Sequence, residues 1–212
     1  MEVASEMPAR RKRPRPGERR GQILQTLASM LEQPGPERVT TASLAARLGV
    51  SEAALYRHFA SKAQMFEGLI DFIETTLFSL SKQLLEKEVQ NESEAATLGA
   101  RQAARVVSLV MHFAEKNPGM VKVMCGDALI LEHERLQLRM NQLFERLESM
   151  LRQCLRSHVE EKGSNTPTVD AQVLAGVLTA FVLGRLQRFV RSGFKRLPSE
   201  HLEPVLALLL NT

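Results

Sequence analysis

The stretch GVSEAALYRHFASK, residues 49–62, decides how the rest of the chain is read. It opens on a glycine, and the serine after Val50 can start a helix; two alanines follow, then the chain's one tyrosine beside an arginine and a histidine. A core helix would carry larger aliphatic residues here, and a purely solvated helix would have no need of the tyrosine. Immediately upstream, TTASLAARL (40–48) has Leu44, Ala45 and Leu48 on one helical face, with Thr40 or Thr41 able to cap it. Helix, glycine turn, helix is the spacing of a helix-turn-helix, whose second helix must enter the DNA major groove. Ala45 is small where two helices cross closely, and Gly49 permits a left-handed residue in the turn. Val50 and Leu55 plug the unit inward, leaving Ser51, Glu52, Ala53, Tyr56 and Arg57 outward. Small outward side chains let the backbone sit deep in the groove, where the Ala53 methyl can pack on a thymine methyl.

Phosphate contacts belong at helix ends. Thr40 and Thr41 open the second helix, where free N–H groups face an anion. Lys62 opens the fourth, adding a cation to a positive dipole end. Tyr56 and His58 can donate to phosphate oxygens without reading sequence; the alternative for either residue is simple packing or capping.

The charge distribution agrees. Of the chain's 212 residues and net charge of +4, residues 1–62 hold 11 Lys/Arg against 6 Glu, and the remainder holds 17 basic and 18 acidic side chains. The basic excess sits in the first third, as expected if that third meets a polyanion. Arg10, Arg11, Lys12, Arg13 and Arg15 supply most of it, so a solvated basic tail would account for the charge equally well. Residues 1–16, basic and proline-punctuated, read as a disordered tail.

Beyond the motif the apolar residues recur at helical spacing, which predicts an all-α protein. The expected helices run from about Glu18 to the Pro34-Gly35-Pro36 stop, then 41–48, 51–59 and 62–89. Further helices are expected at 94–116, 119–125, 127–161, 168–192 and 199–210. Ser51 should cap the third helix, and Ser61 with Gln64 should form a capping box for the fourth. The domains expected are a helix-turn-helix unit over 17–62 and a helical dimerisation and partner-binding unit over 63–212.

Enzymatic chemistry finds no support. The histidines His58, His112, His133, His158 and His201 are scattered, and His133-Glu134 lacks the second histidine of a metalloprotease motif. Glycine-rich phosphate loops and a nucleophile elbow are not seen. Cys125 and Cys154 have no metal spacing and read as buried free thiols in a reducing cytoplasm, so neither metal nor cofactor is expected. The basic N-terminus runs into Pro14, Pro16 and Gly17, not an apolar run, so no signal peptide is expected. VLAGVLTAFVLG (173–184) is too short to span a bilayer and reads as a core helix.

GVSEAALYRHFASK, with TTASLAARL before it, resembles the DNA-binding domain of the TetR family through its G-V-S-x-x-x-L-Y-x-H-F-x-x-K pattern. That resemblance implies three DNA-binding helices, about six helices in a variable second domain, and DNA contacts at Thr40, Thr41, Ser51, Tyr56, Arg57, His58 and Lys62 on palindromic double-stranded sites. It also implies a homodimer formed through the last two long helices. Gly176, Ala180 and Gly184, recurring every four residues, would let a second helix approach closely; the spacing suits a small-residue face packed within one chain equally well. AEKNPGM (114–120), RLQLRMNQLFERLESMLRQCLR (135–156) and RFVRSGFKRLP (188–198) are similar to one branch of the family, the nucleoid occlusion factors of Gram-negative bacteria. The branch implies a protein that holds many chromosomal sites and, while DNA-bound, engages the tubulin-like division protein FtsZ and blocks division over unsegregated DNA. It places the FtsZ tail in a groove between the fourth and fifth helices, at Phe72, Leu109, Lys116 and Asn117. A surface groove is compatible with the pattern, since Phe72, Leu77, Phe78 and Leu109 lie on helices whose other faces are polar. This chain departs from the branch at Leu80, His112 and Lys116, and ordinary core is the other reading of Phe72 and Leu109. The other reading of function is a transcriptional repressor released by a small-molecule effector.

Overall fold

The structure, a computed structural model, describes residues 18–33, 38–90, 98–130 and 132–210. The tail expected over 1–16 lies outside them. Every regular element described is helical. Helix α1 (Glu18–Leu31) turns Ile23, Leu27, Ala28 and Leu31 inward at the i, i+4 spacing that makes one face of a helix. Helix α2 (Thr41–Leu48) starts at Thr40, whose Oγ1 accepts from the Ser43 amide at 3.0 Å while Ser43 Oγ accepts from the Thr40 amide at 3.0 Å. This reciprocal box satisfies two amides that the helix start leaves without partners. The helix stops at Gly49, at φ 65°, where the Gly49 amide donates to Ala46 O and the Val50 amide to Ala45 O. That closure requires a left-handed residue, which is why glycine stands there.

Helix α3 (Glu52–Tyr56) is shorter than the 51–59 expected, because the chain tightens into turns after Tyr56. Those turns still deliver Phe59 into the core, 1% exposed. Ser51 takes the N-cap position but its side chain makes no capping bond, so the expected cap is corrected. At the next start, Ser61 Oγ accepts from the Gln64 amide, while the Gln64 side chain reaches the Ala60 amide, one residue before the expected partner. Helix α4 (Lys62–Gln90) then runs unbroken, so the boundary drawn after residue 62 falls inside its first turn.

Helix α5 (Leu98–Lys116) ends at Asn117, and Pro118 opens the short α6 (Pro118–Met124). The helix expected over 127–161 is broken. Gly126, at φ 83°, turns the chain into a single 3-10 turn at Asp127–Leu129, and α7 (Glu134–Glu161) begins only after His133, whose Nδ1 accepts from the Arg135 amide. Helices α8 (Pro167–Arg191) and α9 (Leu202–Leu210) complete the chain.

One continuous core runs from Ile23 on α1 to Leu210 on α9. Helices α7 and α8 share the most extensive contact, and α5 lies against both. Helix α1 packs on α6 as well as on α2 and α4, which seats the first three helices on the larger unit. Along α4 and α7 the contact is ionic at its edge: Arg135 to Glu67 at 2.8 Å, Arg139 to Asp71 and Glu74 at 2.8 and 2.7 Å, and Arg146 to Glu74 at 2.5 Å. By length and composition α8 could cross a membrane, with mean hydropathy 1.5 over an 18-residue window of which 33% is buried. The 12-residue stretch seen in the sequence is thus part of a longer apolar helix. Its inner face, Ala171, Ala175, Leu178, Val182, Leu186 and Phe189, belongs to the core.

Candidate DNA interface and an apolar groove

The starts of α2, α3 and α4, and the end of α3 with the turn after it, carry the residues expected at DNA. Thr40 is exposed, with its hydroxyl used by the capping box. Thr41 is half-buried and its Oγ1 donates to Glu52 Oε2 at 2.6 Å, linking the first residues of α2 and α3. Ser51, Ala53 and Arg57 are exposed, Tyr56 is 46% exposed, and His58 is half-buried. The outward surface of α3 therefore holds small side chains flanked by an aromatic hydroxyl and a guanidinium. That shape suits close approach to a duplex. The α1 start is fixed to the end of this unit by Arg20, whose guanidinium lies 4.3 Å from the Phe59 ring centroid.

Lys62 has a neighbour that sequence spacing does not reveal. Its Nζ donates to Glu132 Oε1 at 2.6 Å, and the same oxygen accepts from Arg38 Nε and Nη2 at 3.2 and 3.0 Å. Glu132 comes from the connection between α6 and α7 and is 7% exposed. Arg38 was also missed. It stands two residues before the Thr40 cap, and no local spacing signals its tie to a residue 94 positions away.

A groove of about 660 Å³ opens between α1, α4 and the α5–α6 junction. Leu24, Leu69 and Met120 give it apolar walls, and Phe72, Lys116 and Asn117 line it together. Phe72 is 48% exposed and Lys116 is exposed, whereas the Asn117 side chain is tied down by donating to Phe113 O at 2.8 Å. Three of the four residues expected at a partner groove thus meet in one place. Leu109 is half-buried and does not line it, and Leu77, read as groove-facing, is core at 3% exposure. The wall contributed by α1, including Glu18 and Glu32, was not foreseen, because nothing in the sequence says which helix covers the gap beside α4.

On α8, Val169, Val173 and Val177 are 59%, 61% and 44% exposed, and Ala180 and Gly184 flank them on the outer side of the helix. A β-carbon added at Gly176 or Gly184 would meet nothing within 4 Å. Within the chain, Ala180 and Gly184 are exposed and Gly176 is half-buried, with space beside both glycines.

No group of three or more His, Cys, Asp or Glu among the described residues could hold a metal ion. Burial, with Asp127 nearby, pushes the Cys125 thiol up to about 12, and burial pushes Cys154 up to about 11. Neither is a thiolate at neutral pH, so neither is a ready nucleophile.

Residues 23–69 match the family model for bacterial regulatory proteins of the tetR family, and residues 100–212 match that for the tetracyclin repressor-like C-terminal domain of SlmA-like proteins. The chain is 50% identical over 192 residues to the nucleoid occlusion factor SlmA of Vibrio vulnificus, covering 90% of this chain and 93% of that one. It is 49% identical over 183 residues to SlmA of Idiomarina loihiensis, covering 86% and 89%. The chain belongs to the SlmA branch of the TetR family. The fold is shared at low identity with solved transcriptional regulators. The regulator PfmR from Thermus thermophilus superposes with a TM-score of 0.70 at 22% identity, covering 90% of this chain and 97% of that one. FadR from Bacillus subtilis, in complex with stearoyl-CoA, gives 0.66 at 14% over the same shares. SlmA-branch membership thus rests on sequence through the C-terminal unit, where TetR proteins otherwise differ, and the solved structures bear on fold alone.

Proposed function

We propose that this protein is a nucleoid occlusion factor: a homodimer that holds many palindromic chromosomal sites and, while bound there, engages FtsZ and prevents Z-ring assembly over the nucleoid. Identity of about half across nine-tenths of the chain to proteins of that name carries the reading. DNA is held by Thr40, Thr41, Tyr56, His58 and Lys62 on the backbone, with Ser51, Ala53 and Arg57 facing bases. The occupant of the α1–α4–α5 groove is the FtsZ tail. Phe72, Leu24 and Met120 offer apolar contact to such a peptide, and Lys116 offers a cation to a peptide carboxylate. A short peptide pays an ordering cost and binds weakly alone. Presented many times along an FtsZ polymer, it binds tightly by multivalency. The exposed valine and small-residue face of α8 supports pairing of two copies through that helix.

Titration of an FtsZ-tail peptide against the DNA-bound protein tests the groove. Lys116→Glu should weaken peptide binding at least tenfold and leave DNA affinity within twofold; equal loss of both would end the assignment of separate sites. A chromosomal occupancy map separates the reading from the repressor alternative. Many dispersed sites are expected, and a handful of promoter sites released by an effector would overturn it.

A further inference from the structure

One carboxylate reaches from the C-terminal unit into the start of two helices of the DNA-binding unit. Glu132 Oε1 lies 2.6 Å from Lys62 Nζ at the first residue of α4, and 3.0 Å from Arg38 Nη2 just ahead of α2. The three residues come from separate parts of the chain, and Glu132 is 94 positions from Arg38. The carboxylate is nearly enclosed, with 7% of its side chain exposed, while the Lys62 and Arg38 side chains keep 21% and 52% of theirs. A single formal negative charge thus faces two cations. The cations lie at helix starts that we assign to DNA phosphates, where N–H groups already favour an anion.

We propose that Glu132 is the resident stand-in for a DNA phosphate: it holds Lys62 in the free protein and yields Lys62 to the phosphate in the complex. The physical argument is competition for one ammonium. Lys62 Nζ has three donors, but in the free protein its close anionic partner is a carboxylate that lies off the outer surface. A phosphate arriving at the α4 start meets the same cation together with the positive helix end. Glu132 is then a positioning residue for DNA binding. It keeps Lys62 ordered and lowers the free protein's affinity for polyanions at large. Arg38, still bound to the carboxylate through two nitrogens, keeps Glu132 from being left as an isolated buried charge when Lys62 leaves.

The exchange alters the connection that carries Glu132. The Glu132 amide closes the turn that follows the 3-10 segment by donating to Leu129 O at 3.0 Å, and the next residue caps α7. Loss of the Lys62 tie loosens this turn on DNA binding.

The proposal rests on the assignment of the α4 start to phosphate, and the experiment keeps the two apart. DNA affinity and its salt dependence are measured for the full chain, Glu132→Gln, Lys62→Gln and the double variant, on a duplex carrying its site and on unrelated duplex. Lys62→Gln should lower affinity and reduce the salt slope by about 0.9 per protomer, the change that accompanies one fewer phosphate neutralised. Glu132→Gln should raise affinity on both duplexes, roughly tenfold for a dimer if each released ion pair is worth on the order of a factor of three, with the slope unchanged. The gain should vanish in the Lys62→Gln background. Unchanged affinity and slope in Lys62→Gln would sink the phosphate assignment itself. A loss in Lys62→Gln with no gain in Glu132→Gln, or a gain that persists without Lys62, would overturn only the exchange. Hydrogen exchange of the unaltered protein provides the check that needs no variant. The amides of Glu132 and His133 should exchange several-fold faster on DNA, and slower exchange there would equally refute the proposal.

Discussion

Gly119, in the first turn of α6, passes so close to Ala28 on α1 that a β-carbon on Gly119 would overlap the Ala28 carbonyl oxygen and stand 2.9 Å from its carbonyl carbon. This backbone-to-backbone approach is where the DNA-binding unit seats on the larger one. Neither side can give way by a rotamer change, since the obstacle is main chain.

Gly119→Ala should therefore destabilise the protein by about 1–3 kcal/mol, the usual range for forced overpacking. Helix propensity alone predicts the opposite sign, with alanine favoured over glycine by roughly 1 kcal/mol. The thermal midpoint decides between them: a rise would mean that α1 and α6 are not held this closely.

Tyr56 is the exposed aromatic at the end of α3, in the unit assigned to DNA. Tyr56→Ala should weaken binding to specific and unrelated duplexes alike, with the salt slope unchanged, because a neutral hydroxyl neutralises no phosphate. Thermal stability should change little, because the side chain is nearly half exposed. Loss confined to one sequence would make Tyr56 a base reader instead.

The α8 face predicts its own disruption. Val173→Asp places a charge in the centre of an exposed apolar stripe that also holds Val169 and Val177. A monomer by sedimentation velocity is expected, with DNA affinity reduced at least tenfold because each half-site is then held alone. A dimer that survives would move the interface off α8.

His158 sets a pH dependence. It is 4% exposed, and Nε2 lies 3.2 Å from Leu210 O, so the tautomer with its proton on Nε2 donates to that carbonyl. Burial, and then the Lys162 charge, lower its pKa below 6.5. The folded protein holds it neutral while the unfolded chain protonates near 6.5. Its contribution is therefore fully present above that value and is lost as pH falls below it toward the lowered folded value. The unfolding midpoint of the unaltered protein should drop between pH 7.5 and 5.5 more than that of His158→Gln. Parallel curves would mean that His158 titrates as it does in the unfolded chain.

How much of this was legible beforehand follows the range of the interactions. The α2–Gly49–α3 unit was, because it depends on a cap three residues from its partner, a left-handed glycine and a plug at Leu55, all within one short stretch. The break in the long helix was not: apolar spacing continues through Leu129 and Leu136, and only the φ of Gly126 and the cap at His133 end one helix and begin another. The length of α3 was overread for the same reason, since Phe59 keeps the helical period while the backbone has already left the helix.

By itself the sequence determined an all-helical chain, the helix-turn-helix and its outward residues, and the branch of the family, since these rest on local spacing or on extended similarity along the chain. The tertiary structure alone decided what meets across distance. It joined α1 to Phe72 and Lys116 in one groove, left space beside Gly176 and Gly184, and set Glu132 on Lys62. Residues 70 positions apart have no periodicity in common, and only the packing of helices brings their charges within hydrogen-bonding distance.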